Sequence, residues 1–155
     1  MIEYVNKDIT TVERGIIVQG VNCLGLMGSG VALAIRNKWP KVYNEYRHFW
    51  SIFKNPKQEL LGFSQTVEVS KFDELHVVNG FTQVTCGNDG KVYATLTAVE
   101  EVLQNTFAFA DFKHLPIYLP RIGCGLGGLQ WNDVEEILLE LVDEYPHIPV
   151  TVCDI

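Results

Sequence analysis

Apolar runs of strand length alternate along this chain with stretches of helical spacing. Residues 2–5 form a short edge-strand candidate, Asp8-Ile9-Thr10-Thr11 follows as a polar turn, and residues 16–21, Ile-Ile-Val-Gln-Gly-Val, read as a buried strand. Val31, Ala34, Ile35 and Lys38 then recur at helical intervals until Trp39-Pro40 stops or redirects the chain. A second helix over residues 42–53 carries Tyr43, Tyr46, Phe49, Trp50 and Phe53 on overlapping faces, an aromatic surface of the kind that faces a core. Residues 60–69 and 75–81 have β character and are joined by the tight connection Ser70-Lys71-Phe72-Asp73-Glu74. After the flexible loop Gly87-Asn88-Asp89-Gly90, Leu96, Val99, Val102, Leu103, Phe107 and Ala110 place a long helix from Val92 to about Phe109. Residues 117–119 are the next strand. Asn132 or Asp133 is the expected cap of a helix that buries Val134, Ile137, Leu138, Leu141 and Val142, Pro146 ends it, and residues 149–153 supply the last strand.

Strands that alternate with helices predict a mixed sheet covered by helices on both faces. At 155 residues the chain fits one domain, and roughly 68–70% of its extended surface should be buried on folding. Its composition, 47% hydrophobic and 20% charged, is that of a globular protein, and no segment has the apolar length of a membrane span. The start, Met1-Ile2-Glu3-Tyr4-Val5-Asn6-Lys7-Asp8, lacks the basic region and apolar run of a signal peptide, so a cytoplasmic protein without a membrane partner is expected. A net charge of -7, from 12 basic and 19 acidic side chains, disfavours nucleic acid as a partner. Small anionic ligands remain compatible, because local backbone dipoles can hold them. The four cysteines, Cys23, Cys86, Cys124 and Cys153, have no paired spacing, and the four histidines form no ligand motif; neither a disulfide framework nor a metal site is signalled.

Two glycine-rich turns carry the candidate chemistry. Gly25, Gly28 and Gly30 follow the 16–21 strand, and Gly123, Gly125, Gly127 and Gly128 follow the 117–119 strand. Each stands where a strand gives way to a helix, the position at which an open α/β sheet presents backbone N–H groups to a phosphate-bearing ligand. The second turn has more glycine than a loop needs, and close approach of backbone to ligand explains the entropic cost. Asn22, at the end of the first strand of this pair, offers an amide able to donate and to accept, which suits ribose hydroxyls; as a plain structural residue it would be a turn former. Arg121 reads as an exposed brace. Cys124 could pass for a phosphatase nucleophile, but no arginine closes its loop, and a small packing side chain is the better reading.

These segments together resemble a known family. Asp8-Ile9-Thr10, Val21-Asn22-Cys23 with Met27-Gly28-Ser29-Gly30-Val31-Ala32, Asn79-Gly80-Phe81-Thr82-Gln83, and Pro120-Arg121-Ile122-Gly123-Cys124-Gly125-Leu126-Gly127-Gly128-Leu129-Gln130-Trp131 look like the macro domain, the ADP-ribose-binding fold, over essentially the whole chain. The likeness is greatest to the small single-domain branch of ADP-ribose 1''-phosphate phosphatases and the ADP-ribosyl-glutamate hydrolase. It implies a three-layer α/β/α domain with a mixed central sheet, spanning residues 1–155. It also implies that Asp8 accepts the adenine amino group, Ile9 approaches adenine with its backbone, and Asn22 holds the distal ribose. Met27, Gly28, Ser29, Gly30 and Val31 on one side, with Ile122, Gly123, Cys124, Gly125, Leu126 and Gly127 on the other, would enclose the diphosphate.

The chain departs from the family at the chemistry. The hydrolase has an aspartate where this chain has Gly127, and its covalent lysine falls near Val84; Met27 stands where several viral relatives have a histidine. What remains is Asn22, backbone dipoles and a water, which can position a phosphate without naming a general base. The expected activity is hydrolysis of ADP-ribose 1''-phosphate by a monomer without cofactor or metal, with Asn22 as the residue that orients the distal ribose. The alternative is a non-catalytic reader of ADP-ribose or ADP-ribosylated protein, and a third is a structural or regulatory protein that no longer binds nucleotide.

Overall fold

The computed structural model describes residues 1–155 and contains one six-stranded sheet of order β1-β6-β5-β2-β4-β3. β2 (Gly15–Asn22) runs parallel to β4 (Leu75–Gln83) on one side and to β5 (Ile117–Leu119) on the other. β6 (Val150–Asp154) and β1 (Ile2–Asn6) continue the parallel array, and β3 (Ser64–Ser70) closes the far edge antiparallel to β4. The sheet is therefore mixed, as the sequence pattern implies.

β2 alternates its side chains between two cores. Ile17 and Val21, with Val77 and Phe81 of β4, lie under α1 (Gly30–Lys38) and α2 (Pro40–Ile52). Ile16 and Val18, with Val78, lie under α3 (Leu96–Lys113) and α4 (Trp131–Glu144). Ile16, Ile17 and Val18 are all fully buried, and each contributes about 1.5–3 kcal/mol by leaving water. Covering both faces is what makes a central strand read as a continuous apolar run. No helix is long and apolar enough to cross a membrane.

The topology creates the site. β2 and β5 are hydrogen-bonded neighbours, yet the chain leaves β2 toward α1 on one face and leaves β5 toward α4 on the other. The connections diverge, and a crevice opens at the carboxyl ends of the two strands, where open α/β sheets bind ligands.

Several boundaries differ from the sequence expectation, each for a local reason. Residues 92–95 precede α3 instead of starting it, because the N–H groups of Tyr93 and Ala94 donate to the Gly127 carbonyl and that of Thr95 donates to Thr82. α3 runs on to Lys113 and ends at His114 in the left-handed conformation, φ 57°. α4 begins at Trp131 after Gln130, so Asn132 and Asp133 lie inside its first turn and neither caps it. Pro40 starts α2 as its first residue, where its missing N–H costs nothing. Leu60 ends a 3-10 helix, Lys57–Leu60, and β3 begins four residues later.

Candidate functional site

A cavity of about 670 Å³ fills the crevice, a volume in the range of small-molecule sites. Of the residues singled out from sequence, it brings together Asn22, Met27, Gly28, Ser29, Gly30 and Val31 from the first loop with Ile122, Gly123, Gly125, Leu126 and Gly127 from the second. Asp8, Ile9 and Cys124 are not in its lining. Asp8 instead caps the 3-10 helix Ile9–Thr11: Oδ1 accepts from the Thr10 backbone N–H at 2.9 Å and from its hydroxyl at 2.7 Å. Those two bonds, the hydroxyl first, hold the carboxyl below its ordinary pKa, while Oδ2 carries no hydrogen bond within the protein. Ile9 is buried against the α1/α2 core. Cys124 packs against the α3/α4 core, and burial raises its thiol, so it is a packing side chain and not an activated thiolate.

The first loop meets the cavity as an uncapped helix end. Ser29 precedes α1 with extended backbone and makes no side-chain cap, and the first hydrogen bond back into this turn comes from Leu33 N–H. The N–H groups of Gly30, Val31 and Ala32 are therefore free of intrahelical partners at the positive end of the helix, which suits an anion. The second loop is folded tightly on itself. Gly123, at φ 77°, accepts from Leu129 N–H, and Gly128 N–H donates to Gly125.

Asn22 is more committed than its position in the sequence suggests. Its Oδ1 accepts from Leu24 N–H at 3.0 Å, Leu26 N–H at 3.3 Å and the Tyr46 hydroxyl at 3.0 Å, while Nδ2 donates to the Leu26 carbonyl at 3.0 Å. One Nδ2–H remains. The sequence leaves this amide free both to donate and to accept; in the structure the loop and Tyr46 use its acceptor, and one Nδ2–H is what the side chain has left to offer.

The floor adds residues that sequence reasoning missed. Gln19, Thr82, Gln83 and Cys86 line the cavity. Gln19 begins a relay of amides: it donates to Asn79 Oδ1 at 2.8 Å, Asn79 donates to Gln65 Oε1 at 3.1 Å, and Gln65 donates to the Glu45 carbonyl at 2.8 Å. A carbonyl can only accept, so it sets the direction of every bond and leaves Gln19 Oε1 as a buried acceptor without a protein partner. A glutamine inside the apolar run 16–21 is the signal that could have revealed it.

The only titratable side chains in the lining are Cys86 and Arg121; no carboxylate, lysine or histidine reaches it. Arg121 is held by Asp154 through bonds of 2.9 and 3.0 Å, which confirms a brace, and this fork keeps the Asp154 carboxyl below its usual pKa. The contribution of that pair is thus present above about pH 4 and is lost as pH falls through the depressed folded-state value. Asp154→Asn is expected to lower the melting temperature at pH 7, by less than about 1 kcal/mol of stability at this exposed pair, and to match the parent protein near pH 2 in thermal melts followed by circular dichroism.

Residues 18–138 match the family model described as Macro domain, most of the chain and both glycine loops. The chain is a macro domain. Its fold is also that of a Bacteroides thetaiotaomicron protein described as of unknown function, with TM-score 0.87 and 29% identity over 100% of this chain and 98% of that one. Among curated proteins, it is 23% identical over 153 residues to a DNA ADP-ribosyl glycohydrolase of Mycobacterium tuberculosis, covering 98% of this chain and 42% of the relative. The macro domain thus spans less than half the length of that relative. It is 25% identical over 149 residues to an ADP-ribose 1''-phosphate phosphatase of Candida albicans, covering 90% of this chain and 93% of the relative. The names of both curated relatives describe enzymes that act on an ADP-ribosyl group or an ADP-ribose phosphate.

Proposed function

We propose that this macro domain is a reader of the ADP-ribosyl group. Adenine lies toward Asp8 and Ile9, the diphosphate between the two glycine loops, and the distal ribose beside the free Nδ2–H of Asn22. The observation that carries this reading is the make-up of the cleft: the two glycine loops line it, one of them leading into the uncapped N-terminal turn of α1, and no carboxylate, histidine or lysine lines it. Such a site grips a nucleotide diphosphate without a means to activate water. The group is read on a protein in this proposal, and ADP-ribosylated DNA, suggested by the name of the mycobacterial relative, is the competing carrier.

A second reading is slow, metal-free hydrolysis of ADP-ribose 1''-phosphate, favoured by the Candida relative, which matches along nearly its whole length. Water would attack phosphorus, the bond from phosphorus to the ribose oxygen would break, and ADP-ribose and phosphate would leave. Asn22 would orient the ribose, and the loop containing Gly28, Ser29 and Gly30 would hold the departing phosphate.

Calorimetry with ADP-ribose, beside phosphate release from ADP-ribose 1''-phosphate with and without chelator, separates the two. One-to-one binding without phosphate release supports the reader. Phosphate release that disappears in Asn22→Ala moves the assignment to the phosphatase, and absence of binding overturns both. Competition by ADP-ribosylated peptide against ADP-ribosylated oligonucleotide decides the carrier.

The adenine placement has its own test. Asp8→Asn keeps Oδ1 for Thr10 and replaces the unengaged acceptor with a donor, so the cap survives while recognition of an amino group fails. Affinity for both ADP-ribose and AMP is expected to fall about tenfold at unchanged melting temperature. Equal affinity in a folded Asp8→Asn protein would remove Asp8 from the site.

A further inference from the structure

The aromatic residues of α2 read from sequence as core, and Tyr46 is indeed fully buried, stacked on Phe81 with ring centroids 5.7 Å apart. Their polar tips have a separate role. The Tyr46 hydroxyl lies 2.8 Å from the Asn22 carbonyl oxygen and 3.0 Å from Asn22 Oδ1, one proton shared by two acceptors of the same residue. Arg47 donates to the Gly25 carbonyl at 3.1 Å, and Trp50 Nε1 donates to the Cys23 carbonyl at 2.7 Å. Three side chains within five residues of one helix thus hold the last carbonyl of β2 and two carbonyls of the loop that follows it. Gly25 stands at φ 78°, in the left-handed region that favours glycine, and a Cβ there would crowd the Arg47 guanidinium and the Trp50 ring.

We propose that Tyr46 is the positioning residue of the ADP-ribose site, acting through Asn22. An asparagine amide can rotate about its last bond and exchange donor for acceptor. In the loop, Leu24 and Leu26 N–H both need Oδ1, and the Leu26 carbonyl needs Nδ2. Tyr46 adds a third donor to Oδ1 from the core side, which locks the orientation and leaves Nδ2–H as the group available to a ligand. Burial raises the phenol above the ordinary tyrosine range, against a smaller opposing pull from the Gly25 and Leu26 backbone, so the hydroxyl keeps its proton and remains a donor around neutral pH. Tyr46 itself is absent from the cavity lining. It shapes recognition of the distal ribose without touching the ligand.

This inference rests on the placement of the distal ribose at Asn22, and its test uses the whole chain. Calorimetry with ADP-ribose and with AMP, which lacks the distal ribose, compares the parent protein with Tyr46→Phe, Asn22→Ala and the double variant, each checked by thermal melting. Tyr46→Phe is expected to weaken ADP-ribose at least fivefold and AMP less than twofold, and to lose less than about twofold further once Asn22 is alanine, where only the hydroxyl's bond to the residue-22 carbonyl remains. A loss shared equally by both ligands, no loss at all, or additive losses in the double variant would overturn the proposal. If Tyr46→Phe fails to fold, Asn22→Asp in the parent background replaces it, since two oxygens can no longer present an N–H; unaltered preference for ADP-ribose over AMP would then overturn it. Should the parent protein bind no ADP-ribose, the reader assignment fails separately and the positioning is read by NMR. The Asn22 side-chain amide should give two well-separated, slowly exchanging proton signals in the parent protein that merge toward free-amide values in Tyr46→Phe, and unchanged signals would overturn the role of Tyr46.

Discussion

Gly125→Val should lower ADP-ribose affinity by about a hundredfold, ~2.7 kcal/mol of binding, while leaving stability within about 0.5 kcal/mol. The two halves of that expectation have independent causes. Gly125 lines the cavity, and a Cβ built on it meets nothing within 4 Å; its φ is also outside the left-handed region. The backbone therefore accepts valine, and the added methyl groups occupy the space assigned to the diphosphate. Ser29→Ala is the contrasting variant. Because Ser29 makes no side-chain cap, its loss should change affinity less than about threefold, within the small range of an exposed hydroxyl. Calorimetry and melting curves on the same preparations check both. Normal binding by a folded Gly125→Val protein would show that the second loop is not the phosphate cradle.

Gly127→Asp has the opposite character, and it asks whether the carboxylate that the hydrolase branch carries can be put back. A Cβ at Gly127 would stand 2.5 Å from the Gly123 carbonyl oxygen, a backbone atom that cannot swing aside, and 3.0 Å from the Ala94 side chain. The carbonyl of Gly127 also receives the N–H groups of Tyr93 at 2.8 Å and Ala94 at 2.9 Å. Any shift that relieves the first contact strains these two bonds and the segment leading into α3. The variant is expected to lose about 1–3 kcal/mol of stability, as other overpacked sites do, to bind ADP-ribose weakly, and to release none from an ADP-ribosyl-glutamate peptide. Unchanged melting temperature together with new hydrolase activity would show that this loop differs from its relatives in residue type alone.

The four helices and the mixed sheet were legible because each depends on local periodicity. Val134, Ile137, Leu138 and Leu141 mark one face of α4 whatever that face meets, and the Ile16–Val18 run is apolar because neighbours cover both sides. The two glycine turns were legible for a similar reason: strand, glycines and helix follow one another in the chain, so the open first turn of α1 and the loop after β5 can be found from the order of residues alone. Hydrogen-bond saturation was not legible. Asn22 lost its acceptor to Leu24, Leu26 and Tyr46, the last of them 24 positions away, and the amide relay of Gln19 passes through Asn79, 60 positions away, to the backbone of α2. Residues 92–95 carried a helical pattern yet stay outside α3, because the Gly127 and Thr82 carbonyls take the N–H groups of Tyr93, Ala94 and Thr95 across the fold. The sequence alone determined which faces are apolar and where the chain can turn toward an anion, both properties of neighbouring residues. Only the tertiary structure decided which donors and acceptors remain free for a ligand, because that depends on partners brought together from distant parts of the chain.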